Sequence, residues 1–312
     1  MSTSRRTFFL GACGSLAGIT AQGERPAGYL VENSTHMFAA DLLHFPFHSQ
    51  ATYRPTKSLT VEAYVAFVRQ ARIDHTVIVQ SEVYQDDHRY LEYCFEHEPS
   101  PGFFKGTCLF DPIDPRTPER MKALADTHRG RIVGIRIHEL HAAGTPPTTT
   151  GPMRNRDLRS PGMKNTWRAV GDLGLLVQMQ TIPHYAPEIG LLAAEFSAVP
   201  VLIDHLALPA RGTAAEYEEV IKLAKLPGVR MKISSLNIAS KQPYPYRDLK
   251  PLMRRLYDAF GPDRLIWGSY GSNLQAFERQ VALVDEMFDF SPESERARIR
   301  GGNAMRLFRF AA

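Results

Sequence analysis

"RIVGIRIH", residues 131–138, is the stretch that decides the fold. Four of its eight residues are β-branched, which favours a pleated, buried strand over a helix of the same length. Side chains alternate along a strand. Gly134, Arg136 and His138 therefore share one face, and Val133, Ile135 and Ile137 share the other. The apolar face reads as packed, while the opposite face ends in a guanidinium and an imidazole. Runs of the same kind recur at 28–38, 75–80, 103–110, 174–180, 200–205, 229–234 and 264–269. Amphipathic segments separate them at 60–72, 86–96, 117–127, 163–172, 186–196, 214–225, 246–260 and 273–287. Strands that alternate with helices make a parallel sheet, and about eight such units make an α/β fold of the (β/α)8 TIM-barrel type. Two helix starts read directly: Thr117 before Pro118-Glu119, and Ser291 before Pro292-Glu293, each a cap followed by a first-turn proline and an acid. A last helix over about 292–309 is expected to pack across the outside of the barrel.

The composition fits one such domain. The chain has 312 residues, 44% hydrophobic and 22% charged, with a net charge of +4. That charge is dispersed, so neither a nucleic-acid partner nor a membrane partner for the mature chain is expected. No run approaches the ~18 apolar residues of a spanning helix. Cys94 and Cys108 lack metal-like spacing and read as buried thiols.

The first 25 residues read differently. "SRRTFFLGACGSLAGITA", residues 4–21, joins the twin arginine Arg5-Arg6 to a short, weakly apolar run. This is the pattern of a twin-arginine export signal, which places the mature chain in a bacterial periplasm. Residues 1–25 are thus assigned to a signal segment and 26–312 to the barrel domain.

In a barrel the functional side chains cluster at the C-terminal ends of the strands. Alternation assigns Glu82 and Gln80 from the second strand to that ring, and Arg136 and His138 from the fourth. It adds Gln180 from the fifth, His205 from the sixth, Lys232 from the seventh and Tyr270 from the eighth. Buried charges need partners, water or a ligand. The competing reading is an internal ion-pair network, with Glu82 bound to Lys232 or Arg136. Two long loops, 39–58 and 139–162, belong at the same face, where long loops bind ligands. Tyr53 and Arg54 in the first could close over a substrate, Arg54 gripping a carboxylate; the equal alternative is a proline-rich loop that only wraps the barrel. "HELH", residues 138–141, has its histidines three apart just after a strand, so it is not the helical zinc motif.

Taken in series, "VIVQSEVYQDDHRYL", "FKGTCLFDP", "IVGIRIH", "VLIDHLALP", "MKISSL", "YRDLKPLMRRLYDAFGPDRLIWGS" and "GGNAMRLF" resemble the amidohydrolase-2 family of metal-dependent-type TIM barrels. The likeness is to its branch of sugar lactonases and 2-pyrone-4,6-dicarboxylate lactonase, and it runs from about residue 29 to 309. The resemblance implies a D-x-H-x-H motif on the first strand. This chain has Glu32 at the aspartate, Ser34 at the first histidine, and His36 at the second. It has Gln180 where metal-binding relatives have a histidine, keeps His205, and has Tyr270 where the family has its catalytic aspartate. A catalytic zinc takes three protein ligands. His36 and His205 supply two, so no metal cofactor is expected beyond a weak divalent ion at that pair.

The expected activity is that of a hydrolase, lactonase-like, or a lyase, acting on a small carboxylate or lactone. Arg136, Lys232 and Arg54 would bind its anionic groups, with His138, Gln180, Tyr53 and Gln80 lining the site. His205, His36, Glu82 and Tyr270 are the catalytic candidates, since hydrolysis needs a base for water. The alternative is a catalytically silent barrel that binds a similar anion.

Overall fold

The structure is a computed structural model that describes residues 26–269 and 273–311. Residues 1–25, assigned above to a signal segment, and Tyr270 lie outside the described residues. Eight strands follow one another in one parallel sheet, in sequence order: β1 (Val31–Thr35), β2 (His75–Val79), β3 (Phe104–Cys108), β4 (Ile132–Glu139), β5 (Leu176–Thr181), β6 (Val201–Ile203), β7 (Val229–Ile233) and β8 (Leu265–Trp267). The helices between them are α1 (Val61–Ala71), α2 (Arg89–Glu96), α3 (Thr117–Thr127), α4 (Pro161–Asp172), α5 (Ala186–Glu195), α6 (Ala214–Lys222), a short α7 (Leu236–Ala239) and α8 (Lys250–Phe260). After β8 come α9 (Leu274–Met287), α10 (Glu293–Ala297) and α11 (Asn303–Leu307). This is the (β/α)8 barrel that the strand–helix alternation predicts. No helix among the described residues is long and apolar enough to cross a membrane.

Side chains of β1 close the β8–β1 seam. Asn33 Nδ2 donates to the Trp267 carbonyl at 2.7 Å, and the Glu32 carboxyl accepts from the Ser269 amide (3.0 Å) and hydroxyl (2.5 Å). Gly268 is required here because a Cβ would sit 2.6 Å from Ser34 Oγ.

Two apolar layers hold the barrel. The outer one packs Ile78, Ile135, Ile137, Met179, Ile203, Met231 and Trp267 against the helices. The inner one gathers Val31, Val77, Leu176, Leu202 and Ile266 around Ala304, Met305, Phe308 and Phe310. The C-terminal helix therefore plugs the barrel floor; it does not lie on the outside as expected. It is also broken into α10, a π-turn over Arg298–Gly302, and α11. Gly301 explains the close fit: a Cβ there would lie 2.1 Å from the Tyr29 carbonyl oxygen. Gly301→Ala is expected to cost about 2 kcal/mol or more, as overpacking against backbone does, and to lower Tm by several degrees. An unchanged melt would show that the plug moves freely.

Neither expected cap functions as one. The Thr117 hydroxyl donates to the Asp111 carbonyl (2.6 Å) and that of Ser291 to the Phe288 carbonyl (2.9 Å), and the N-cap positions fall at Arg116 and Pro292 instead. Cys94 and Cys108 are buried free thiols.

Candidate active site

The polar cluster is built around Asp204, one residue past β6 and fully buried. Arg136 reaches it from β4: Nε and Nη2 both donate to Oδ2, at 3.1 and 2.9 Å. From β7 comes Lys232, whose Nζ lies 3.0 Å from Oδ1 and also donates to the Asn33 carbonyl at 2.7 Å. Gln178 of β5 donates to both oxygens at 2.9 Å. All three cluster partners present hydrogen-bond donors, and only an ionised carboxylate can accept from all of them. Burial works against the charge of Asp204, but Lys232 and Arg136 outweigh it and hold the carboxyl below its ordinary range. Burial pulls Lys232 down while Asp204 opposes that. The cluster thus sets two cations against one full carboxylate, and the Glu32 carboxyl, lifted by burial to about 7, adds part of a negative charge on the Lys232 side.

Two histidines face the same guanidinium. His36 Nε2 is 3.4 Å from Arg136 Nη1, and His205 Nε2 is 3.5 Å from Nη2. A guanidinium can only donate, so both Nε2 atoms are acceptors and both protons sit on Nδ1. The rest of the geometry agrees. His36 Nδ1 donates to the Val79 carbonyl at 2.8 Å, and His205 Nδ1 faces the hydroxyls of Ser234 (2.8 Å) and Ser235 (2.9 Å). Burial, then the charge of Arg136, takes His36 down to about 3; burial takes His205 down to about 4. His138 is buried beside Arg136 and falls well below its usual range for the same two reasons.

Backbone strain makes this convergence possible. His205, Leu206, Ala207 and Leu208 all have positive φ, between 51° and 58°, and none is glycine. A left-handed conformation costs roughly 1–2 kcal/mol per L-residue. Here it turns the chain so that the consecutive residues Asp204 and His205 enter one cavity. Ser235, with φ 55°, follows Ser234 by the same device. Simple alternation places Val201, Ile203 and His205 on one face, whereas Leu202 and Asp204 are the inward pair.

The same parity error applies on β2. Val77 packs inside and Ile78 outside, so Gln80 does not join the ring. Its amide instead braces a turn, donating to the carbonyls of Gln85 (3.2 Å) and Asp87 (2.8 Å). Glu82 sits between the two long loops, accepting from Thr52 Oγ1 at 2.8 Å and lying 3.6 Å from Arg154. It therefore pairs with neither Lys232 nor Arg136. Tyr53 is hydrogen-bonded to Ser81 at 2.9 Å. Arg54 folds back on its own loop, donating to the carbonyls of Ala51, Tyr53 and His48, so its guanidinium is not presented to a substrate. Gln180 lies in register beside His138. The residues that strand alternation misses are Asp204, Ser235 and Arg154. An acidic residue directly before a strand-end histidine was the available signal for the first.

These residues do not fit a divalent metal. The imidazole lone pairs that would bind one face Arg136, and both carboxylate oxygens of Asp204 are occupied by donors. Among the described residues, no group of three or more His, Cys, Asp or Glu is arranged to hold an ion.

Comparison with known proteins agrees with the barrel. A 4-sulfomuconolactone hydrolase from Hydrogenophaga intermedia is 32% identical over 137 residues, 40% of this chain and 45% of that protein. An L-fucono-1,5-lactonase from Burkholderia ambifaria is 30% identical over 140 residues, 41% of this chain and 47% of that protein. The chain thus spans about half the length of the curated relatives it matches. Among solved structures, a probable 2-pyrone-4,6-dicarboxylic acid hydrolase from Acinetobacter baumannii with citric acid bound superposes with a TM-score of 0.71 at 19% identity. That match covers 90% of this chain and 99% of the other, and it speaks to the fold. The model of the Amidohydrolase family, Amidohydro_2, matches residues 39–310, and the chain belongs to that family.

Proposed function

We propose that the chain is a hydrolase that opens the ring of a small carboxylated lactone without a tightly bound metal. The observation that carries this reading is the excess positive charge of the Arg136–Asp204–Lys232 cluster, set at the end of the strands beside two unprotonated histidines. In a low-dielectric site a cation that is only partly compensated attracts an anion. A carboxylated lactone offers that anion together with a carbonyl whose oxygen becomes negative on attack.

In the reaction, water oxygen bonds to the ring carbonyl carbon, and the ring C–O bond breaks. One proton leaves the water and one reaches the departing ring oxygen, giving a carboxylate and a hydroxyl. His205, backed by Ser234 and Ser235, and His36 are neutral at pH 7 and take the first proton only when the substrate draws Arg136 off their Nε2 lone pairs. Glu82 at the loop junction is the second candidate, and Tyr270 is the candidate acid. The two curated relatives, a sulfomuconolactone hydrolase and a fuconolactonase, support a lactone substrate.

Assay against a panel of carboxylated and sulfonated muconolactones, pyrone dicarboxylates and aldonolactones is expected to give turnover on at least one anionic lactone. His205→Asn or Glu82→Gln, whichever removes the base, should lower kcat by ~10²–10⁴-fold. Binding of these lactones with no turnover of any would establish the silent barrel instead.

We also propose that residues 1–25 direct export to the periplasm, on the strength of Arg5-Arg6 and the apolar run after them. Replacing both arginines by lysine is expected to retain the protein in the cytoplasm on fractionation; unchanged export would remove this reading.

A further inference from the structure

Two histidines and an aspartate converge on one point of this barrel, and the point is filled by a guanidinium. Arg136 lies 3.4 Å from His36 Nε2, 3.5 Å from His205 Nε2, and 2.9 and 3.1 Å from one oxygen of Asp204. Two imidazole nitrogens and a carboxylate are the donor set of a three-ligand catalytic zinc. We propose that the Arg136 guanidinium stands in for a divalent ion, as a built-in cation that bridges His36 and His205, fixes their tautomers and keeps metal out. The proposal rests on the metal-free part of the functional reading and not on the identity of the substrate.

Three physical points support it. The contacts of 2.9–3.5 Å are hydrogen-bond lengths, and a zinc would need the same nitrogens at about 2.0–2.1 Å. The guanidinium does not lose its proton in the accessible pH range, so its charge is as permanent as an ion's. Its position is set by the buried carboxylate of Asp204, while Lys232 neutralises the other oxygen, so an entering dication would meet two buried cations and no uncompensated ligand. Removing the charge of Arg136 leaves two imidazole lone pairs and one carboxylate oxygen, then held by Gln178 alone, facing one cavity.

The test is zinc binding by the purified protein, without substrate. Arg136→Ala and Arg136→Gln are treated with chelator, dialysed, checked for folding by circular dichroism, and titrated with zinc chloride by calorimetry. At least one folded variant is expected to bind one equivalent ~100-fold more tightly than the unsubstituted chain. Adding His205→Ala should weaken that binding by ~10–100-fold. Stoichiometric zinc surviving dialysis in the unsubstituted chain, or a folded variant that binds no better than it does, overturns the proposal. Should neither variant fold, nitrogen-15 spectra of the unsubstituted chain decide. Both histidines are expected to carry the proton on Nδ1 from pH 6 to 8, unmoved by zinc, and an Nε2–H tautomer or a zinc-induced shift overturns the proposal. Zinc affinity is read independently of lactone turnover, so failure of one leaves the other standing.

Discussion

Asp204→Asn is expected to destabilise the barrel by about 3–5 kcal/mol, the usual consequence of stranding a buried charge, and to reduce activity by roughly two orders of magnitude. The substitution preserves volume and changes only charge and hydrogen-bond sense. Asp204 accepts from Arg136, Lys232 and Gln178, which offer it only donors. An asparagine amide would turn two N–H groups toward them, leaving a donor against a donor and two cations without a counter-charge. Arg136 would then lose the contact that sets its plane, and with it the orientation it imposes on His36 and His205. Urea unfolding measures the stability and a lactone assay the activity. A second substitution, Lys232→Met, removes one cation and should recover at least ~1 kcal/mol of the loss, a coupling of the size seen between directly interacting charges. A single variant within ~1 kcal/mol of the parent protein would mean that the carboxylate does not hold the cluster together.

This cluster also shows where the sequence is legible and where it stops being so. β-Branched runs and amphipathic segments are local signals, and they place all eight strands and the principal helices within a few residues of where they fold. Arg136 and Lys232 follow from alternation because β4 and β7 stay regular up to those positions. Asp204 is missed because His205 also enters the cavity, on a chain that turns left-handed from His205 to Leu208, and alternation counted back from His205 puts Asp204 on the wrong face. Nothing in "DHLAL" announces four non-glycine residues at positive φ; the packing around them, including the Tyr217 hydroxyl on the Leu206 carbonyl at 3.0 Å, imposes that shape. Gln80 and Glu82 are misplaced for a related reason. The strand face is decided by whether Val77 or Ile78 meets the barrel floor, and two neighbouring β-branched residues give no preference. The floor itself depends on the C-terminal plug, where Gly301 passes too close to Tyr29 for any Cβ, a long-range contact that periodicity does not show.

Acid is expected to unfold the protein well before its carboxylates would ordinarily titrate, because buried histidines are held neutral. His36 falls to about 3 and His88 and His205 to about 4, all chiefly by burial, and His138 falls well below the usual range. Their unfolded value is 6.5. Between pH 6.5 and 4 the unfolded chain therefore binds protons that the folded chain refuses, and stability falls as pH falls. Glu32 and Glu139 act in the opposite sense. Burial lifts both to about 7 from 4.5, so between pH 7 and 4.5 the folded chain holds their protons and the unfolded chain releases them. His36, His88 and His205 against two carboxyls leave a net difference of one proton between pH 6.5 and 4.5, and His138 adds to it in the same sense. At ~1.4 kcal/mol per proton per pH unit, that one proton is about 3 kcal/mol over the interval, a large share of the stability of many domains. Denaturant melts at pH 7.5 and 5 test the sum. His88→Gln tests one contributor outside the site: glutamine can accept from the Leu109 amide as His88 Nε2 does at 3.1 Å, but it does not titrate. The variant should flatten the slope by ~1.4 kcal/mol per pH unit. Equal stability at the two pH values, or an unchanged slope in His88→Gln, would mean that these rings take up protons in the folded state and that water reaches them.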